Sequence, residues 1–350
     1  MKFEILTALY CLAGLATANP IPRQPTLNEA AVAAGKMYFG TATNQDPEWS
    51  NKEYVNIMLE QFGSLTPANV QKWQFTEPEQ GVFNYTQGDQ FADFSLEHKK
   101  VLLCDTLVWH QEYPAWLDEK EWTKEELLQV IDQHVFSEVS HYKGKCFSWN
   151  VVNEALNDDG TWRETLYYNV TGTDFIETAF AAARRADPHA QLYYNDYNIE
   201  SPGAKATAAA NNIIKPLRKK GLIDAIGLES HFIVGETPDE AQQQQQMQAY
   251  IDLGVDVVVS ELDVRFSSLP PTAAGQAQQV TDYLSSINAC IAVGKKCMGI
   301  SVWDFADEYS WIPSTFAGQG DADLYDQNLN PKVPLINGII SALEKASKRW

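Results

Sequence analysis

The chain has 350 residues, 45% of them hydrophobic and 21% charged, which is enough to bury a large core and too apolar for disorder. Lys and Arg number 26 against 46 Asp and Glu, a formal charge of −20, and so acidic a surface repels phosphate backbones and anionic lipid. Neither nucleic acid nor a membrane surface is expected as a partner.

Residues 1–18 open on Lys2, run through an apolar stretch and close on Ala16-Thr17-Ala18, the layout of a secretory signal peptide. No later stretch reaches about 18 unbroken apolar residues, so we expect a secreted, extracellular protein. A short Pro-rich leader, 19–26, then precedes one domain, 27–350. Loss of Cys11 leaves Cys104, Cys146, Cys290 and Cys297, an even count in a compartment that permits disulfides. Asn84-Tyr85-Thr86 and Asn169-Val170-Thr171 are glycosylation sequons, expected to matter once secretion is granted.

Short apolar or β-branched runs recur at 37–43, 64–66, 101–108, 146–152, 191–195, 225–230, 255–260 and 298–303. Helical periodicity fills longer stretches between them, at 124–137, 173–186, 204–219, 238–253 and 274–292. Thr237-Pro238 predicts the start of the fourth of these helices, with Thr237 as its cap and Gln242 to Gln246 as a solvated face. Eight alternating units in one chain predict an α/β fold of the (β/α)8 TIM-barrel type, in a single domain. A doubly wound sheet is disfavoured by the lack of a Gly-rich phosphate loop after an early strand.

In such a barrel, chemistry gathers at the C-terminal ends of the strands. Glu154 and Glu261 each follow a strand there, and hydrolysis of a glycosidic bond needs two carboxyl groups, one to protonate the leaving oxygen and one to attack or to activate water. Trp109, Trp303 and Trp311 lie nearby, and flat rings suit the apolar faces of sugars. The six histidines form no H-E-x-x-H pair and no zinc-like spacing, and no G-x-S-x-G elbow is present, so neither metal nor cofactor is expected.

The segments Trp149-Asn150-Val151-Val152-Asn153-Glu154 and Ser260-Glu261-Leu262-Asp263-Val264 resemble the acid/base and nucleophile motifs of glycoside hydrolase family 10, in its fungal secreted xylanase branch. Further matching segments are Tyr38 to Ala42, Thr66 to Trp73, Thr106 to His110, Tyr193 to Asn198 and Val302-Trp303, so the likeness spans nearly the whole mature chain. The resemblance implies a retaining double displacement with Glu154 as acid/base and Glu261 as nucleophile. It further implies that Asn153 bonds the sugar 2-hydroxyl and that His231 tunes the nucleophile. Asn69 and Lys72 then contact the next sugar outward, and Trp109, Trp303 and Trp311 wall the cleavage subsite, with Asp105, His110 and Glu229 also at the substrate. It supports a Cys290–Cys297 disulfide and leaves a Cys104–Cys146 bridge open.

Four positions depart from the family pattern: Ala68 replaces a Glu, Asp105 a His, Glu112 a Gln and Glu229 a Gln. Three new carboxyl groups near the site should raise the pKa of the acid/base, and as carboxylates they could only accept hydrogen bonds. The expected substrate is plant-wall β-xylan, acted on by a monomer. The alternatives are a xylose-bearing saponin or glycoalkaloid, as for a tomatinase of this family, and a catalytically idle carbohydrate-binding or inhibitor protein.

Overall fold

Residues 23–348 are described in a computed structural model, so the predicted signal peptide and the start of the leader lie outside the described residues. Among the described residues nine strands occur: β1 (Tyr38–Thr43), β2 (Ser64–Pro67), β3 (Val101–Cys104), β4 (Ser148–Asn153), β5 (Gln191–Asp196), β6 (Ala225–Leu228), β7 (His231–Ile233), β8 (Asp256–Arg265) and β9 (Cys297–Val302). All pairings between them are parallel, in the order β6-β5-β4-β3-β2-β1-β9-β8, and β6 pairs with β8 to close the ring into an eight-stranded (β/α)8 barrel. The short β7 lies beside the far end of β8, continuing the line of β6 after a break.

Most strands are buried along their whole length, as expected where helices cover one face and the barrel interior the other. Tyr193, Ala225, Val258 and Met298 pack together inside the barrel. Gly299 makes room there for Tyr38, because a Cβ at Gly299 would lie 2.4 Å from the Tyr38 ring. The larger core fills the layer between strands and helices, where Lys124–His141 contributes Ile131, Val135 and Val139 and Asp174–Ala186 contributes Ile176, Ala179, Phe180 and Ala183 at helical spacing. Among the described residues two disulfides are present, Cys104–Cys146 between the end of β3 and the residues just ahead of β4, and Cys290–Cys297 closing the turn into β9. Asn84 and Asn169 are both exposed. No helix among the described residues is long and apolar enough to cross a membrane.

Several boundaries differ from the sequence pattern. The run 101–108 is a strand only to Cys104; beyond it Leu107 and Val108 donate to the Asn150 and Val151 carbonyls as an irregular segment. The run 225–230 breaks after Leu228, where Ser230 takes a φ of 63° and turns the chain. β8 extends to Arg265, so Glu261 sits inside a strand rather than after one, at an irregularity in its register with β9. The stretch 204–219 is helical throughout but widens to a π-type turn over Ala209–Ile214, ahead of Pro216, whose ring nitrogen cannot donate to the preceding turn.

The helix placed at 238–253 runs Glu240–Asp252 and is capped by Asp239, not Thr237. Asp239 accepts from the Gln242 amide at 2.8 Å and Gln242 Oε1 accepts from the Asp239 amide at 3.2 Å, a reciprocal box that satisfies two end donors. Its glutamines are not all solvated. Gln243 and Gln246 are buried, and the Gln243 amide donates to the Pro238 carbonyl at 2.7 Å while accepting from Ser286 Oγ at 2.8 Å. Gln243→Ala should therefore cost about 1–3 kcal/mol in urea unfolding, since it strands Ser286, whereas the exposed Gln245→Ala should stay within about 0.5 kcal/mol of wild type.

Candidate active site

The C-terminal strand ends open onto a cleft of about 1040 Å³. Asp105 and Trp109 enter it from beyond β3, Asn153 and Glu154 from β4 and its end, Glu229 and His231 from β6 and β7, Glu261 from β8, and Trp303 and Trp311 from beyond β9. Glu154 has a φ of 54° and Asp304 a φ of 61°, left-handed conformations in which the chain reverses as it leaves a strand.

A network of side-chain amides forms the floor. The Asn195 amide nitrogen on β5 shares its two protons among Glu261 Oε1 at 2.7 Å, Asn153 Oδ1 at 2.9 Å and Glu229 Oε1 at 3.1 Å, and its oxygen accepts from Ser260 Oγ at 2.7 Å. Asn150 donates to Asp105 Oδ1 at 2.7 Å and to Asn153 Oδ1 at 2.9 Å. Asn153 in turn reaches Glu154 Oε1 at 3.4 Å, so two amide side chains link the two carboxyl groups. On the other side of Glu261, His231 Nδ1 binds Asp263 Oδ2 at 2.7 Å and Nε2 faces Glu261 Oε2 at 3.3 Å, while Trp311 Nε1 also donates to Asp263, at 2.9 Å.

Burial and like charge separate the ionisation of these groups. Burial, then Asp196 and Glu261, push Glu154 up to about 7, against the pull of Trp109 and Arg163. For His231 burial favours the neutral ring, yet Asp263 and Glu261 outweigh it and hold an imidazolium with a pKa of about 10. Burial pushes Asp105 up to about 7, helped by Glu261 and opposed by Lys72, and Glu229 rises well above the carboxylate range for the same first reason with Glu261 and Glu154 adding to it. Burial, Arg163 and Lys205 lower His110 to about 4, so it faces Glu154 Oε2 at 3.8 Å as a neutral ring.

Of the residues singled out from the sequence, Asn69, Lys72, Asp105, Trp109, Asn153, Glu154, Glu229, His231, Glu261, Trp303 and Trp311 all line this cleft. His110 does not line it; it sits behind the lining, with Nε2 3.8 Å from Glu154 Oε2 and 3.4 Å from Gln111 Nε2. Glu112 also stays out, because its carboxylate accepts from Gln74. The high pKa of Glu154 owes more to burial and Asp196 than to the substituted positions, and Asp105 holds a proton up to about 7 instead of serving only as an acceptor. Lys72 donates to Asn69 Oδ1 at 2.9 Å and lies 4.8 Å from the Trp109 ring centre.

Asn195, Asp196, Asp263 and Arg163 were not picked out as individual site residues. Three of them fall within the segments that carry the family likeness. Arg163 gives no local signal; it arrives from a loop, with Nε donating to the Glu154 carbonyl at 2.9 Å and Nη2 3.9 Å from its carboxylate. Glu229, His231 and Glu261 are the one group among the described residues whose ligand atoms lie close enough together to hold a metal, all within 4.8 Å. The His231 imidazolium already supplies positive charge at that point, 3.3 Å from Glu261 and 3.8 Å from Glu229.

Comparison with known proteins matches the family described as Glycosyl hydrolase family 10 to residues 26–342. The chain belongs to that family. It is 49% identical over 326 residues to endo-1,4-β-xylanase D of Talaromyces funiculosus, spanning 93% of this chain and 79% of that protein. Among solved structures, the Penicillium canescens endo-1,4-β-xylanase XylE superimposes with a TM-score of 0.89 at 44% identity, over 91% of this chain and 98% of the other. A family 10 xylanase of Bispora sp. MEY-1, solved with xylobiose, gives 0.87 at 45% identity over 91% of this chain and 99% of the other. The chain is accordingly a glycoside hydrolase on a (β/α)8 barrel.

The amide floor of this family 10 site depends on one glycine. A Cβ at Gly227 would lie 2.0 Å from Asn195 Oδ1, so Gly227→Ala must displace the side chain that holds Glu261, Glu229 and Asn153. Hydrolytic kcat/KM should fall at least tenfold with an unchanged far-ultraviolet CD spectrum, and full activity would show that Asn195 does not hold Glu261 in place.

Proposed function

We propose that this protein is a secreted endo-1,4-β-xylanase that cuts internal bonds of plant-wall xylan by a retaining double displacement. The observation that carries the proposal is the contrast between two carboxyl groups in one cleft. Glu154 is mostly shielded from water near Asp196 and keeps a proton up to about pH 7, while Glu261 receives the Asn195 amide and faces the His231 imidazolium. Groups so differentiated serve as acid and nucleophile.

Glu154 protonates the glycosidic oxygen as Glu261 attacks the anomeric carbon, forming a glycosyl-enzyme and releasing the first product. Glu154, now a carboxylate, takes a proton from water as the water displaces Glu261, and both groups return to their starting forms. In this reading Asn153, whose Oδ1 accepts from Asn150 and Asn195, bonds the sugar 2-hydroxyl. Trp109, Trp303 and Trp311 offer flat walls to the sugar at the cleavage subsite, and Asn69 and Lys72 polar groups to the next one. Xylan is favoured over a xylosylated saponin or glycoalkaloid by the relatives, which are named as endo-xylanases.

Incubation with xylan, xylo-oligosaccharides and a xylosylated saponin in parallel should give short oligosaccharides from xylan. Cleavage of the saponin alone would overturn the substrate assignment. Glu261→Gln should lower turnover of every substrate by about 10³-fold or more. Glu154→Ala should lose activity on xylan but regain it on an aryl xyloside with a good leaving group when azide is added, and near-normal rates on xylan would refute the acid assignment. In wild type, kcat should fall about tenfold per pH unit above about 7, as the Glu154 proton is lost.

A further inference from the structure

The cleft floor holds more carboxyl groups than its cations can neutralise. His231 spends its two nitrogens on Asp263 at 2.7 Å and Glu261 at 3.3 Å, Lys205 pairs with Asp196 at 2.8 Å, and the Lys72 ammonium donates to Asn69. Among the described residues no Lys or Arg nitrogen lies within 4 Å of Asp105 or Glu229. Glu229 has only His231 Nε2, at 3.8 Å, beyond hydrogen-bonding range.

Each of these two acids is nonetheless held in a fixed pose. Asp105 Oδ1 accepts from Asn150 and Glu229 Oε1 accepts from Asn195, while the second oxygen of each makes no hydrogen bond to the protein. Both residues are more than nine-tenths buried, and both line the cleft. A buried carboxylate needs donors on both oxygens, whereas a carboxylic acid can satisfy one oxygen with an amide and use its O–H as a donor.

Resting on the xylanase reading above, we propose that Asp105 and Glu229 act as neutral carboxylic acids that donate their O–H groups to hydroxyls of the bound sugar. They are specificity-determining contacts, and the site loses its grip on sugar when they ionise. Asp105 faces Glu261, Glu154 and Lys72; Glu229 faces Glu261, Glu154, Asp196, Lys205 and His231, with Glu200 behind it on the Ser230 amide. For both acids burial and the neighbouring carboxylates oppose ionisation and outweigh the groups that favour it, Lys72 and the Asn150 hydrogen bond at Asp105 and Lys205 at Glu229. Double displacement requires Glu261 to be ionised, so a second charge beside it is resisted throughout the working pH range.

This arrangement separates two effects of rising pH. Loss of the Glu154 proton lowers kcat, whereas loss of the Asp105 proton removes a binding donor and raises KM. The experiment measures kcat and KM on xylotetraose from pH 4 to pH 8.5 for wild type, Asp105→Asn and Glu229→Gln, amides that keep a donor and cannot ionise. Wild-type KM should rise at least fivefold between pH 6 and pH 8. Asp105→Asn should stay within about threefold of the wild-type KM at pH 5 and remain flat to pH 8, while its kcat still falls above about pH 7; Glu229→Gln should likewise keep its KM at pH 5.

A flat wild-type KM, or a tenfold higher KM for either amide at pH 5, overturns the proposal. The carboxyl ¹³C shifts of Asp105 and Glu229 in labelled wild-type protein, assigned with the variants, read the same protons without substrate. Ordinary carboxylate midpoints would overturn the proposal even where an amide variant misfolds, and failure to cleave xylotetraose would refute the xylanase reading while leaving the titration to decide on the acids.

Discussion

The site is governed by the desolvation of carboxyl groups at the mouth of a closed parallel barrel. Eight strands in one direction bring all their C-terminal ends to one rim, and Asp105, Glu154, Asp196, Glu229, Glu261, Asp263 and Asp304 are gathered there with little access to water. Each must be neutralised, hydrogen-bonded or protonated, since an isolated buried carboxylate is strongly disfavoured. The three solutions are all used. Asp263 and Asp196 have cations, Glu261 has an amide and an imidazolium, and Glu154, Asp105, Glu229 and Asp304 are raised toward the protonated form.

Amide side chains are the connecting material because they donate and accept without changing charge. Asn195 touches Glu261, Glu229 and Asn153 at once, and Asn150 touches Asp105 and Asn153, so the geometry of four functional groups rests on two neutral residues in β4 and β5. Because Asn195 ties three of these groups together, a methyl group at Gly227 has consequences across the cleft. The Asp263 carboxylate performs a related service on the far side, orienting both His231 and Trp311 with one oxygen.

Substitution of Asp105 and Glu229 into this floor changes its electrostatics without changing its architecture. Two ionised acids would repel Glu261; two neutral acids leave the charge of the reacting pair intact and still present hydrogen-bond donors. On the proposal made above, the site's sugar contacts, and not only its catalytic proton, depend on pH.

The alternation of apolar runs and helical stretches was sufficient for the barrel, because strand and helix periods are local properties of the chain and the closed ring is the common way to bury eight such units. The motifs around Glu154 and Glu261 were enough to single out two carboxyl groups that the fold brings into one cleft, although Glu261 lies within β8 and not at its end. Local pattern could not reveal that β8 runs on past Glu261, that Asp239 outcompetes Thr237 as a cap, or that Gln243 faces inward, since each depends on a partner distant in the chain. The protonation of the acids belongs to the same class. Sequence supplies a carboxyl group at position 105 or 229, but only the folded chain brings Glu261 and Glu154 beside it, ties one oxygen to Asn150 or Asn195 and excludes the water that would otherwise keep it ionised. Charge state is a property of surroundings, and the surroundings come from residues far apart in sequence.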